Sequence, residues 1–191
     1  MLSNLVRLSD LASIVSGLLY FVGYAGMAEL LLPMMSNLGG HIVLGLAGLA
    51  TLLTLVGVLV RDNGRSARLG AVGYTLSFVG AVVFSTGNLA EGIWLAEFGT
   101  GLFAIGTMSL TFGVVLLGFG LLRAKVLPAW GVWPLVVGWV AFLPIANSPG
   151  VLGHTFVLSI LAAGMWGVGW VAVGYALWSQ RGTPAQPSRV S

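Results

Sequence analysis

The chain has no cysteine, which excludes disulfides, thiolate metal sites, dithiol redox chemistry and a cysteine nucleophile. Charge is nearly as scarce. Charged residues are 7% of the sequence, against about 25% in a typical soluble domain, so there is too little polar surface to coat a globule in water. Also missing are a His-Glu-x-x-His zinc helix, a Gly-x-Ser-x-Gly elbow, a phosphate-binding loop and an aspartate-rich metal motif, the short signatures of many hydrolases and nucleotide enzymes. Gly99-Thr100-Gly101-Leu102-Phe103-Ala104 matches a dinucleotide fingerprint as a string. It opens an apolar run with no strand before it, so the match is spurious. No metal site is expected.

What the chain does have is apolar sequence, 58% of its 191 residues. This falls in six blocks, at 11–32, 41–60, 69–90, 100–122, 126–146 and 155–178, near or above the roughly 20 residues that a helix needs to cross a bilayer. The blocks are apolar on every side rather than alternating, which excludes barrel strands. The expected fold is all-α: a polytopic membrane protein with six transmembrane helices in one bundle over residues 1–178. The polar, proline-bearing segment 179–191 should be disordered. Arg7 before the first block, with Gly26 and Ala28 after it, has a signal-peptide look. Its apolar run exceeds the usual roughly 7–15-residue core of a signal, and it is read as a retained span.

The basic residues set an orientation. Arg7, Arg61, Arg65, Arg68, Arg123, Lys125, Arg181 and Arg189 all fall on one side of a six-span chain, while the connections at 34–40, 91–99 and 147–153 contain no Lys or Arg. Positive charge is retained in cytoplasmic loops, so both termini are expected in the cytoplasm. The pI of about 9.8 is then topological, and nucleic acid is not expected as a partner.

The 29 glycines nowhere form Gly-x-x-x-Gly. They recur every seven residues instead, as Gly73, Gly80 and Gly87 in the third block and Gly99, Gly106, Gly113 and Gly120 in the fourth. Gly131 with Gly138 and Gly167 with Gly174 continue the pattern. A sevenfold repeat keeps one seam toward a neighbour in a left-handed supercoil, and small residues let backbones approach in lipid. Close packing of the third span on the fourth is expected, through a short connection.

The third block carries a polar stripe, Tyr74, Ser77, Ser85 and Asn88, running out toward Glu91. Thr100, Thr107 and Thr111 form a matching row on the fourth. Such groups should face the bundle interior. There they either line a polar crevice or bond to their own helix as structural glue. Glu29 is the acid expected within the hydrocarbon, where an ionised carboxylate costs on the order of 2–3 kcal/mol and needs a partner, water or a proton. His41, Glu91, Glu97 and His154 gather toward the same outer face. They would serve as an acid–base, proton-relay or cation-binding cluster, or else as loop residues that meet water. Glu29 and Glu91 are the catalytic candidates. Trp166 and Trp170, one turn apart in mid-span, either wall a site for an apolar ligand such as an isoprenoid or quinone or fill space opposite glycine-rich faces. Tyr74 and Asn88 join them as ligand-binding candidates. Trp130, Trp133, Trp178 and Trp94 are read as interfacial anchors.

The run Arg123-Ala124-Lys125-Val126-Leu127-Pro128-Ala129-Trp130-Gly131, followed by an apolar span, resembles the basic-loop, proline and tryptophan turn of small bacterial multi-pass membrane proteins without an assigned role. The resemblance extends to all six spans and implies the bacterial cytoplasmic membrane, but brings no functional residues. Two function classes follow. One is a non-enzymatic small carrier or an accessory subunit of a membrane complex, with a membrane-protein partner or a second copy. The other is a membrane-embedded enzyme acting on a lipid or isoprenoid through outer-face carboxylates. Blocks 11–90 and 100–178 show no convincing internal match, which counts against a carrier built of inverted halves.

Overall fold

The computed structural model describes residues 2–27, 37–94, 98–146 and 156–180. Among these there are six helices and no strand: α1 (Leu2–Met27), α2 (Asn37–Asp62), α3 (Ala67–Trp94), α4 (Phe98–Arg123), α5 (Ala129–Ala146) and α6 (Phe156–Ser179). A helix satisfies every backbone group within its own segment, which lipid demands and water does not. Four are long and apolar enough to cross a membrane, through Arg7–Gly26, Gly39–Asp62, Ala67–Ile93 and Phe98–Arg123, and α5 carries a shorter apolar stretch, Ala129–Ala141. At about 1.5 Å per residue, the 26 residues of α2 reach roughly 39 Å, more than the ~30 Å hydrocarbon core. By length and composition this is a membrane protein.

The turns between helices have specific causes. After α2 the chain enters the left-handed region at Asn63 and at Gly64 (φ 78°), a conformation glycine adopts without penalty. The Asp62 carboxylate then caps the start of α3, accepting the Ser66 N–H at 2.9 Å and the Ser66 hydroxyl at 2.6 Å. The end of α4 is a Schellman turn. Lys125 lies at φ 52°, its N–H donates to the Leu122 carbonyl, and the Val126 N–H donates to the Leu121 carbonyl. Buried Val126 packs beside buried Leu121, the apolar contact that accompanies this turn.

Each helix packs on its chain neighbours, and α6 also packs on α1, so the six close into a ring. Glycine contacts fix the directions. Gly23 lies against Leu44 and Gly57 against Ser9, Gly45 against Leu89, Gly80 against Leu110, Gly138 against Met165, and Gly174 against Asp10. A second contact in each remaining pair runs the opposite way along the partner, Gly92 against Ile42, Gly87 against Phe103, Gly131 against Ala176 and Gly17 against Gly167, so these neighbours are antiparallel. Arg7, Arg61, Arg65, Arg68, Arg123 and Lys125 come together at one end, here the basic end.

The expected packing of the third span on the fourth is found, and it is the most extensive interface in the ring. A methyl on Gly73, Gly80 or Gly87 would strike the backbone of Leu117, Leu110 or Phe103, and one on Gly106 or Gly113 that of Phe84 or Ser77. Gly120 meets Gly70, and Gly99 meets Gly87 and Glu91. The paired repeats also sit at interfaces, Gly131 and Gly138 toward α6, Gly167 and Gly174 toward α1.

The first helix departs from its expected bounds. It begins at Leu2 rather than residue 11, and the polar residues just before that block are buried in the bundle: Ser9 and Asp10 are 2 and 0% exposed. The fifth starts at Ala129 rather than 126, since Val126 belongs to the Schellman turn. Outside the ring the surface is as apolar as its core. Leu18, Leu53, Ile105, Phe112 and Val168 are more than half exposed, which suits lipid and not water.

Candidate functional site

Three polar or aromatic groups lie stacked along the ring. At the end opposite the arginines, His41 on α2 is buried at 4% exposure. Its Nδ1 lies 3.0 Å from Asn88 Oδ1 on α3, and its Nε2 lies 3.5 Å from Glu91 Oε1, one turn further along α3. Asn88 is itself fully buried and donates from Nδ2 to the Phe84 carbonyl at 2.9 Å. The edge of the imidazole meets Phe103 of α4. The other carboxylate oxygen of Glu91, Oε2, is buried with no hydrogen-bond partner among the described residues. His41 was expected either in an outer cluster or as a loop residue meeting water. The structure corrects the second reading, since α2 begins at Asn37, before His41, and turns the ring inward onto α3.

The middle of the ring is aromatic. Tyr20 of α1 stacks on Trp166 of α6 with centroids 4.7 Å apart. Phe84 of α3 meets both Tyr20 and Trp166, and Trp139 of α5 closes on Trp166 at 3.6 Å. Tyr20, Phe84, Trp139 and Trp166 are all 0% exposed. Beside them the Tyr20 hydroxyl lies 3.1 Å from that of Thr51, which lies 2.7 Å from that of Ser16. Thr51 and Ser16 both reach the Ala47 carbonyl at 3.0 Å. The Ser13 hydroxyl donates to the Trp170 carbonyl at 2.7 Å.

The basic end holds the strongest polar contact. Arg61 of α2 grips Asp10 of α1 with both terminal nitrogens, at 2.8 and 3.2 Å, and donates to the Leu177 carbonyl of α6 at 2.9 Å. The Asp10 side chain is fully buried and that of Arg61 is 15% exposed. Such a pair is held by geometry: the fork satisfies both oxygens of a carboxylate withdrawn from water.

Of the candidate residues, the structure brings Glu91 and Asn88 together with His41. Glu29, Glu97 and His154 lie outside the described residues. Tyr74 is half-buried and stacks on Phe78, more than three turns along α3 from Asn88 and apart from that group. Trp166 and Trp170 are sealed, at 0 and 1% exposure. Trp166 is part of the central aromatic group, as the space-filling reading expects. The Nε1 atoms of Trp139 and Trp170 have no hydrogen-bond partner among the described residues. Ser77, Ser85 and Asn88 do face inward. Ser85, Thr107 and Thr111 then bond to carbonyls four residues back on their own helices, while Thr100 is exposed, so these residues behave as glue rather than as a crevice lining. Trp130, Trp133 and Trp178 are about half exposed, as anchors would be.

The basic-end clamp and the hydroxyl group escaped the sequence reading. Their signal was present as Ser9, Ser13, Ser16 and Tyr20, a 4–3–4 spacing that places them on one helix face. Trp139 gave no such signal. Among the described residues no group of three or more His, Asp or Glu side chains is placed to hold a metal. Comparisons with protein-family models, with curated proteins and with solved structures give no match, so the functional reading is built on this geometry.

Proposed function

We propose that this chain is a six-span integral protein of a bacterial cytoplasmic membrane, with its basic end and both termini in the cytoplasm, and that it works as a small non-enzymatic carrier. One observation carries the reading: near each end of the ring, ionisable side chains on neighbouring helices are in contact, Asp10 with Arg61 and His41 with Glu91. Alternating access needs a closure at each end that opens in turn. An enzyme working through Glu91 would direct that carboxylate toward a substrate cleft. Here Oε1 is directed at His41, and the tryptophans that would shape an apolar pocket fill the core instead.

The absence of cysteine makes the test direct, because a single introduced thiol has no background. Ser16→Cys is placed on the cytoplasmic side of the aromatic group, and Ser85→Cys toward the opposite end. Impermeant thiol reagents are applied to each face of oriented vesicles. In a carrier, Asp10→Asn raises labelling at position 16 from the cytoplasmic face, and Glu91→Ala, which removes the contact to His41 altogether, raises labelling at position 85 from the outer face. If neither clamp variant changes labelling at either position, the bundle is a static accessory subunit and the carrier reading fails. A reporter fused at residue 64 is expected to report the cytoplasm. An external report there would overturn the orientation.

A further inference from the structure

The orientation of the Asn88 amide is set by its own helix. Its Nδ2 donates to the Phe84 carbonyl at 2.9 Å, and the reversed amide would set two oxygens face to face. Oδ1 therefore points at His41 Nδ1, 3.0 Å away. An amide oxygen only accepts, so the hydrogen is on Nδ1. The other ring nitrogen, Nε2, is 3.5 Å from Glu91 Oε1. A neutral imidazole protonated on Nδ1 presents a lone pair at Nε2, and an ionised carboxylate also presents only lone pairs. Two acceptors facing one another would repel, and the carboxylate, whose Oε2 is already buried without a hydrogen-bond partner among the described residues, would carry an uncompensated charge. One additional proton, on Nε2 or on Oε1, turns the repulsion into a hydrogen bond and brings the pair to zero net charge.

We propose that His41 and Glu91 form a proton-binding site, holding one exchangeable proton between Nε2 and Oε1, and that this proton fastens α2 to α3 at the end away from the arginines. When the proton leaves for water, Nε2 keeps its lone pair, Glu91 keeps its negative charge, and the pair carries −1. The exchange path runs along Glu91, whose side chain is 25% exposed, rather than through His41, at 5%. No other ionisable side chain is positioned to substitute among the described residues. In the half of α1 that flanks the site the titratable groups are the phenols Tyr20 and Tyr24, packed on Trp166. On α4 the pair is faced by Gly99 and Phe103, and that helix's one charged residue, Arg123, is at its far end. On α2 and α3 themselves the remaining ionisable groups are Arg61, Asp62, Arg68 and Tyr74, all nearer the basic end. The site stands whether or not the bundle carries a solute.

The test uses the full chain in detergent with histidine labelled with nitrogen-15. There are two histidines, and the His154→Gln variant assigns their signals. The expected spectrum shows His41 Nδ1 bearing hydrogen at every pH, with Nε2 losing its proton partner as pH rises. Labelling of Ser85→Cys, taken at each pH relative to the same thiol in the unfolded chain to remove the thiolate's own pH dependence, should increase over the same pH interval. Glu91→Gln supplies an amide N–H to Nε2 without a titrating proton and should abolish that pH dependence while keeping the low-pH level of protection. A neutral His41 carrying its hydrogen on Nε2 with Nδ1 bare would overturn the proposal. So would a Glu91→Gln protein whose labelling follows pH as before. Should Glu91→Gln fail to fold, the nitrogen-15 spectrum of the unaltered pair still decides.

Discussion

The α1–α2 interface and the α3–α4 interface solve one problem by opposite means. Lipid gives helices little hydrophobic reason to associate, so the drive must come from close packing or from polar groups that dislike hydrocarbon. Between α1 and α2, and onward to α6, side chains reach across: Asp10 to Arg61, Arg61 to Leu177, Ser13 to Trp170, Ser16 and Tyr20 to Thr51. Between α3 and α4 the backbones themselves meet at glycines, and most hydroxyls turn back onto their own helix, with Ser109 to the Leu76 carbonyl as a cross-helix bond. The first interface can be undone one group at a time and regained. The second is all contact and tolerates no added atom. The ring thus has one seam built of glycine contacts and one built of side-chain polar bonds.

The contrast is most easily broken at Gly106, where any side chain strikes the Phe84 backbone. Gly106→Leu is expected to exceed the ~1–3 kcal/mol usual for overpacking and to abolish monodisperse yield in gel filtration. Gly101 is the matched control, because among the described residues a methyl there meets nothing within 4 Å. Next comes the polar seam. Arg61→Gln takes the two-pronged guanidinium contact from buried Asp10 and should cost about 3–5 kcal/mol in a detergent unfolding titration. Asp10→Asn should cost less, since Arg61 keeps the Leu177 carbonyl and some water. Ser16→Ala should cost about 1 kcal/mol, with a coupling to Thr51→Ala of similar size in a double-mutant cycle. If Ser16 and Thr51 prove additive, the hydroxyls are not a unit. Smallest are Thr107→Val, within about 0.5 kcal/mol because its hydroxyl serves only its own helix, and Gly101→Ala, neutral or stabilising by up to ~1 kcal/mol through helix propensity. A large loss at either would mean that α4 has a partner on its outward face.

The α3–α4 seam was legible in advance and the polar seam was not, for a physical reason. Glycine spacing is a property of one helix at a time, so Gly73 to Gly120 announce their interface wherever the partner lies. An ion pair is a property of two helices. Asp10 and Arg61 are 51 residues apart, and on its own each reads as the polar end of a span. Hence the start of α1 was placed nine residues late. His41 and Asn88 were both singled out, the one as a member of an outer cluster and the other as part of a stripe. Nothing in either segment says that α2 delivers the imidazole to that amide. For Ser85, Thr107 and Thr111 the sequence leaves two fates open. Only coordinates show the hydroxyl turning back, because the carbonyl four residues behind is available to any helical serine or threonine.

The closure of α6 onto α1 has a consequence for how the protein is made. A nascent chain enters the bilayer from its amino end, and until Phe156–Ser179 has been synthesised, the carbonyls of Trp170 and Leu177 that Ser13 and Arg61 require do not exist. Until then the Ser13 hydroxyl lacks its α6 partner, on the side where Gly17 will later touch Gly167. The contacts that join α1 to α6 thus form only once Phe156–Ser179 is in place, so the seam between them closes later in synthesis than the one between α1 and α2.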